Sequence, residues 1–285
     1  ADREQEDTNL DVVLRLDHQL NSSLGLYAGA AQKQRSASYQ ERYLWLPLEA
    51  TGGLADGQLY IGNIELDPER SRTVELGLDW LGDSLSLRPR LIYNRVDDYI
   101  QGTPLAEMHP ATMMVRMMNR SNGTDRAAPL QFNNVDAELY GFDMDWRWRL
   151  GERWSLSGLV NYVRGKRRDN SDDLFRIAPP NMTTRLSYAA PRWQLTVESV
   201  LYASQDDVSA TSGEQTSPGY GIVNLHGRWQ ISEGLELAAG VDNLFDKVYR
   251  PHLSGLNRIS NPDLAVGERL PGYGTNVFGR ISYMF

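Results

Sequence analysis

The chain has 285 residues, a formal net charge of -8, no cysteine, and a mean hydropathy of -0.48. Without cysteine there are no disulfides and no thiolate metal sites, and without a basic block the electrostatics argue against a nucleic-acid partner. No apolar run approaches the ~18 residues of a membrane helix, whereas a β-barrel remains open, because its lumen-facing residues dilute hydropathy. The acidic start, Ala1 to Asp7, has no apolar signal core, so the sequence is expected to be mature or cut from something longer.

Alternation with period two predicts about eleven strands. The first two lie around Leu10 to Leu16 and Leu24 to Ala30, joined by a tight link at His18 to Ser22. A long connection, roughly Gln32 to Arg72, precedes Val74 to Trp80. A second tight link, Leu81 to Ser84, leads into Leu85 to Tyr93, where Pro89 cannot donate to a ladder. After a connection from Asp97 to Val135 comes the clearest strand, between Glu138 and Leu150. Tyr140, Phe142, Met144, Trp146, Trp148 and Leu150 share one side, and Gly141, Asp143, Asp145, Arg147 and Arg149 the other. A soluble sheet has no use for that many large apolar residues opposite a wholly polar face.

The strand from Trp154 points Trp154, Leu156, Val160 and Tyr162 outward and Ser155, Ser157 and Asn161 inward, with the apolar Leu159 and Val163 also pointing in. Gly165 to Asn181 connects it to Met182 to Tyr188, and Trp193 to Leu201 follows a tight link at Ala189 to Arg192. Ser204 to Gly219 leads to the strand from Tyr220, which sets Val223, Leu225, Trp229 and Ile231 against Asn224, His226, Arg228 and Gln230. A short link at Ser232 to Gly234, the strand from Leu235, an excursion from Asp246 to Thr275 and a last strand ending on Phe285 complete the chain.

Short and long connections alternate, the asymmetry of transmembrane barrels with brief periplasmic turns and long outer loops. Several loops above ~15 residues are unusual in a compact soluble domain. The fold expected is therefore all-β, a transmembrane antiparallel β-barrel. With a periplasmic carboxyl terminus, an odd strand count puts Ala1 outside the cell. Single-chain bacterial barrels have an even count, so the chain is expected to be half a wall.

Three stretches resemble the TonB-dependent outer-membrane receptors. Gly62-Asn63-Ile64-Glu65-Leu66-Asp67-Pro68-Glu69 resembles the family's Gly-Asn-x-x-Leu-x-Pro-Glu element. Val241 to Tyr249 is similar to its penultimate strand and the start of its last outer loop. Leu270 to Phe278 is similar to its Pro-Gly approach to the last strand, and Phe285 to its terminal aromatic. The resemblance implies that residues 1-285 are the C-terminal part of a plugged 22-stranded barrel, with the plug domain and N-terminal strands absent from this chain. They would belong to a separate chain cleaved in an outer loop, or to a stretch beyond this sequence. It also implies location in the bacterial outer membrane, energy from the TonB complex acting through the missing part, and a metal complex as cargo, a ferric siderophore first. A passive porin or structural barrel is the alternative of another class.

Two residue sets are candidates for cargo. Met108, His109, Met113, Met114, Met117 and Met118 gather five of the eight methionines in one loop, and thioethers with imidazole suit Cu(I). The bland alternative is an apolar loop or short amphipathic helix, methionine being adaptable filler. Arg116, Arg120, Arg167, Tyr220, Arg250 and His252 are suited to the anionic oxygens and flat surface of a ferric chelate. Read individually, such residues are more often contacts to lipopolysaccharide, to outer-membrane lipid or in an aromatic girdle. Inward charges, among them Glu75, Asp79, Asp143, Asp145, Asp242, His226 and Arg228, are expected to pair with one another or with a plug. No tightly bound cofactor is expected, only transported iron chelate or copper ion. Of the four histidines only His109 and His252 fall in outer loops, without a nucleophile motif, and no enzyme is expected.

Overall fold

The computed structural model describes residues 4-49, 56-123, 126-260 and 262-284; Phe285 lies outside the described residues. Eleven strands form one antiparallel wall in chain order. They are β1 (Val12–Asn21), β2 (Leu24–Arg35), β5 (Glu69–Leu81), β6 (Leu85–Pro104), β7 (Leu130–Arg149), β8 (Trp154–Arg167), β9 (Asn181–Ala189), β10 (Trp193–Tyr202), β11 (Tyr220–Ser232), β12 (Leu235–Asp242) and β13 (Asn276–Tyr283). Two short strands, β3 (Leu48–Glu49) and β4 (Leu59–Ile61), stand off this path. The helices α1 (Tyr39–Tyr43) and α2 (Pro110–Asn122) lie in the long connections.

Register turns the alternation into continuous rows. One row runs Leu85, Trp148, Leu156, Leu186, Val197, Leu225, Val241, Val277 across β6 to β13, each residue opposite the next. It is apolar throughout. A second apolar row, on the same face, runs Leu16, Ala28, Leu76, Leu91, Phe142, Tyr162 across β1 to β8. The opposite face carries Asp17, Tyr27, Gly77, Arg90, Asp143, Asn161, Asn181, Tyr202, Tyr220 over nine strands. One face thus suits hydrocarbon and the other a wet or plugged lumen.

The long apolar row also fixes the tilt. Leu85 is the first residue of β6 after a tight turn, whereas its partner in β12, Val241, stands six residues beyond the first residue, Leu235. Six residues of rise, about 20 Å, against six interstrand spacings, about 29 Å, correspond to a tilt of about 35°, inside the range of outer-membrane barrels.

Pro89 is accommodated inside β6. Pairing with β5 lapses between Gly77↔Arg90 and Trp80↔Leu87, and the Arg90 side chain donates to the Leu78 carbonyl at 2.9 Å in the gap. Two connections are shorter than the alternation suggests. A bulge at Asp97 and Asp98, the latter at φ 61°, lets β6 and β7 resume pairing at Tyr99↔Val135 and run on to Pro104 and Leu130. Each of these strands has 20 residues, about twice a membrane crossing, so the hairpin projects above the bilayer. Likewise β2 reaches Arg35, whose guanidinium pairs with Glu69 at 2.6 Å.

The buried apolar residues gather on this projecting part. Tyr60, Leu66, Ile100, Leu130 and Phe132 form one cluster, with Tyr60 and Phe132 stacked 5.0 Å apart. Val96, Ala137 and Leu174 form another, against Tyr99, Leu139 and Ile177. The outer connections therefore fold back onto the wall. Asp172 fastens two of them: its carboxylate accepts from Ala210 N at 2.9 Å, Thr211 N at 3.0 Å and Ser209 Oγ at 3.2 Å. Burial pushes this carboxyl up, but the hydrogen bonds outweigh it and hold it below the usual range.

Two outcomes test this architecture in the full-length receptor. Leu186→Arg, in the middle of the apolar row, is expected to destabilise the folded barrel in lipid vesicles by ~2–4 kcal/mol. Lumen-facing Ser187→Arg loses its 2.9 Å hydrogen bond to Thr196, worth about 1 kcal/mol; equal costs on urea unfolding would contradict the assignment of faces. Because the depressed Asp172 carboxyl stabilises above its unfolded pKa and loses this as pH falls through its folded pKa, Asp172→Asn should expose residues 168-180 and 203-219 to limited proteolysis at neutral pH. Wild type should reach the same state only in acid.

Candidate functional site

The element from Gly62 to Glu69 acts as a clasp. A Cβ at Gly62 would lie 2.6 Å from Arg42 O and Leu44 N, so only glycine lets the connection cross the end of α1. Asn63 N donates to Glu41 O at 2.8 Å, Leu66 enters the apolar cluster, and Glu69 accepts from Ile100 N at 2.9 Å while pairing with Arg35. Helix α1 is held by a capping box of Ser38 and Glu41.

The second family-like element is also a clasp. Asn243 is buried at φ 49°, accepts from Lys247 N at 2.9 Å and donates to the carbonyls of Lys247 and Tyr273. Its backbone N–H donates to Asn224 Oδ1, Asn224 donates to Glu198 at 2.7 Å, and Arg185 donates to Glu198 at 2.5 Å. A polar chain thus runs along the inner wall from β9 to the last loop. At Gly272 a Cβ would strike the Tyr249 ring at 2.2 Å.

The candidates for an anionic chelate are spread out and mostly engaged. Arg116 pairs with Glu107, and Arg250 with Glu268 at 3.3 Å. Arg167 is buried and bonded to Asp169 at 2.5 Å. Arg120 is exposed in the last turn of α2. Tyr220 stacks between Tyr202 and Tyr249, with ring centroids at 4.9 and 4.7 Å, making a three-ring aromatic stair at the top of the inner face.

His252 is buried, its Nδ1 2.9 Å from Ser217 Oγ and its Nε2 3.1 Å from Glu214 Oε1. This serine, histidine and carboxylate sequence resembles a nucleophile relay in outline. Ser217, however, is itself buried and bridged to Gln205 through the backbone, so no substrate carbonyl reaches its hydroxyl. The trio locks two outer connections together. Beside it lies a small cavity lined by Asp56, Arg176, Glu214, His252, Leu256 and Arg269. Glu214 and Arg269 are missing from the sequence-based candidates because their partners are remote in the chain. On the inner wall Arg88, Asp145, Arg147 and Arg185 line a polar groove.

The methionine loop differs. Met108, Met113, Met117 and Met118 are exposed by 78, 46, 64 and 40%, and Met114 is half-buried. Helix α2 buries only Ala111, Thr112 and Val115, and Met113 and Met117, four residues apart, share a face. His109 caps the helix, its Nδ1 accepting from Ala111 N at 3.2 Å, which leaves Nε2 as the ring's N–H. Among the described residues no group of three or more His, Cys, Asp or Glu side chains could hold a metal ion.

Residues 7–244 match the family model described as TonB dependent receptor-like, beta-barrel. The vitamin B12 transporter BtuB of Vibrio vulnificus (strain YJ016) is 25% identical over 228 residues, 79% of this chain and 31% of that protein. The ferric enterobactin receptor of Pseudomonas aeruginosa is 26% identical over 251 residues, 82% of this chain and 32% of the relative. The chain spans about a third of the length of these curated relatives. Among solved structures the copper transporter OprC superposes with a TM-score of 0.79 at 23% identity, over 97% of this chain and 40% of that one. At that identity the likeness is one of fold. With its apolar outer rows, polar inner rows and folded outer loops, the chain belongs to the TonB-dependent receptor β-barrel family of the bacterial outer membrane.

Proposed function

We propose that this wall serves an outer-membrane importer driven by the TonB complex through a plug, and that its cargo is copper, received by the thioethers of the α2 loop. The carrying observation is the exposure of Met108, Met113, Met117 and Met118. Burial is the usual reason to place methionine, and within this chain these side chains are left exposed. Soft sulfur donors select Cu(I) over hard cations. The N-cap bond of His109 Nδ1 assigns the ligand role to methionine first, since imidazole coordination through Nε2 requires that tautomer to change. Similarity in fold to a copper transporter agrees with this reading.

A second reading, a ferric chelate, draws on the stair of Tyr202, Tyr220 and Tyr249, which offers a flat face to an aromatic ligand, and on the relative named as a ferric enterobactin receptor.

Uptake by a deletion strain carrying the full-length receptor separates the two. Met113→Leu with Met117→Leu keeps the helix and its apolar area but removes two soft donors; copper accumulation should fall roughly tenfold or more, since even losing groups that only support metal ligands costs that much. Unchanged copper uptake would refute the thioether route. For a ferric chelate, Tyr220→Ala would instead lower iron accumulation, with affinity reduced by about 0.5–1.5 kcal/mol per lost aromatic contact.

A further inference from the structure

The chain holds no cysteine, so its thioethers are the side chains most readily oxidised by a reagent that transfers oxygen. Of the eight methionines, Met144 and Met182 share a register row with Val160 and Leu201 on the hydrocarbon face, where lipid covers them. Met284 stands alone near the carboxyl end, at the opposite end of the wall from the outer loops. The other five all lie between Met108 and Met118.

Within helix α2 their placement is one-sided. At about 100° per residue, Met113, Met117, Met114 and Met118 fall in an arc of about 140°, and the buried Ala111, Thr112 and Val115 fall in the next 100° or so. The sulfurs therefore line the helix as a stripe beside its buried face, with Met114 at the half-buried edge. Bonds that fix the helix come from other residues. His109 accepts from Ala111 N, Thr112 Oγ1 donates to the Ala106 carbonyl at 3.1 Å, and Asn119 exchanges hydrogen bonds with Arg126. An oxygen added to a sulfur on the exposed stripe leaves these contacts in place.

We infer that this stripe is a reversible oxidation site, at which hypochlorous acid converts Met108, Met113, Met117 and Met118 to sulfoxides and so closes the soft-metal site of the same loop. In net terms, an S–O bond forms at each thioether and the O–Cl bond of the reagent breaks. Sulfur loses two electrons, chlorine takes them and leaves as chloride, and the proton passes to water. A sulfoxide presents a hard oxygen where a soft sulfur stood, so Cu(I) loses its donors while the helix and wall persist. Methionine sulfoxide reductases, one for each sulfoxide epimer, return the thioether. The closing effect rests on the thioether reading of the cargo site, whereas the order of oxidation depends on exposure alone.

The test titrates the full-length receptor in detergent micelles with hypochlorous acid. Sulfoxides are located by peptide mapping, the folded state is followed by heat-modifiable migration on a gel, and affinity is measured with Ag(I), a soft ion that stands in for Cu(I). Sulfoxide should appear at Met108, Met113, Met117 and Met118 at doses that leave Met144 and Met182 unmodified and the folded band intact. Over the same doses Ag(I) affinity should fall roughly tenfold or more, and both reductases together should restore it. Met284→Leu should leave that loss unchanged. Oxidation of Met144 and Met182 at the same doses as α2, unchanged Ag(I) affinity once the α2 sulfoxides have formed, or a loss the reductases do not reverse would each overturn the inference. An untreated receptor that fails to bind Ag(I) would instead refute the thioether reading itself, and the closing effect with it.

Discussion

The structure depends on one requirement: in hydrocarbon every backbone N–H and C=O must be satisfied by a neighbouring strand. Once the ladders are fixed, side chains can only alternate, and a slip of one residue would send the whole apolar set into the lumen. The apolar row from Leu85 to Val277 shows how tightly this is enforced, since eight strands contribute to it without a polar residue. The same requirement applies at the edges. β1 and β13 each pair on one side, and within a bilayer their other sides need partner strands. Where the ladder does fail, at Pro89, a side chain supplies the missing donor: Arg90 reaches the Leu78 carbonyl.

Behind the wall, polar residues obey a second accounting. Buried charge is tolerated when it is paired and hydrogen-bonded, and Glu198 meets that condition with Arg185 on one side and Asn224 on the other. Asn224 hands the network to Asn243, and so the inner wall and the last outer loop are one hydrogen-bonded unit. The family-like stretches at residues 62-69 and 241-249 are therefore explained as clasps. Their glycine, asparagine and glutamate side chains or lack of them hold long connections against strands.

The wall was legible in the sequence because alternation is local. Tyr140 to Leu150 announces its two faces without reference to any other strand. The outer loops were less legible, for a physical reason. His252 looks like a free loop imidazole, and nothing near it in sequence reveals that Ser217 and Glu214, 35 and 38 positions away, enclose it. Arg167 looks like a basic strand end, yet Asp169 and burial consume it. The acidic pair Asp97 and Asp98 reads as the start of a loop because solvated carboxylates usually mark one. Here they form a bulge, and pairing resumes beyond it. The methionine helix was half legible: a short amphipathic helix was one alternative for that loop beside an irregular apolar segment, whereas the capping role of His109 depends on a backbone geometry that only the fold supplies.

These differences divide the outer surface into two mechanical classes. The connections around residues 168-180, 203-219 and 243-275 are joined by Asp172, Glu214, His252 and Arg269, of which His252 is buried and the others partly so, and displacing one connection would strand hydrogen-bonding groups of another. Among the described residues, side-chain hydrogen bonds of helix α2 reach Ala106, Glu107 and Arg126 of its own loop. It buries three residues, is closed at its end by the left-handed Gly123, and is tied back within its own loop, where Asn119 exchanges hydrogen bonds with Arg126. Local opening costs least where few apolar contacts are made. The segment richest in thioethers thus buries few side chains among the described residues and stands on a base made stiff by the twenty-residue strands β6 and β7.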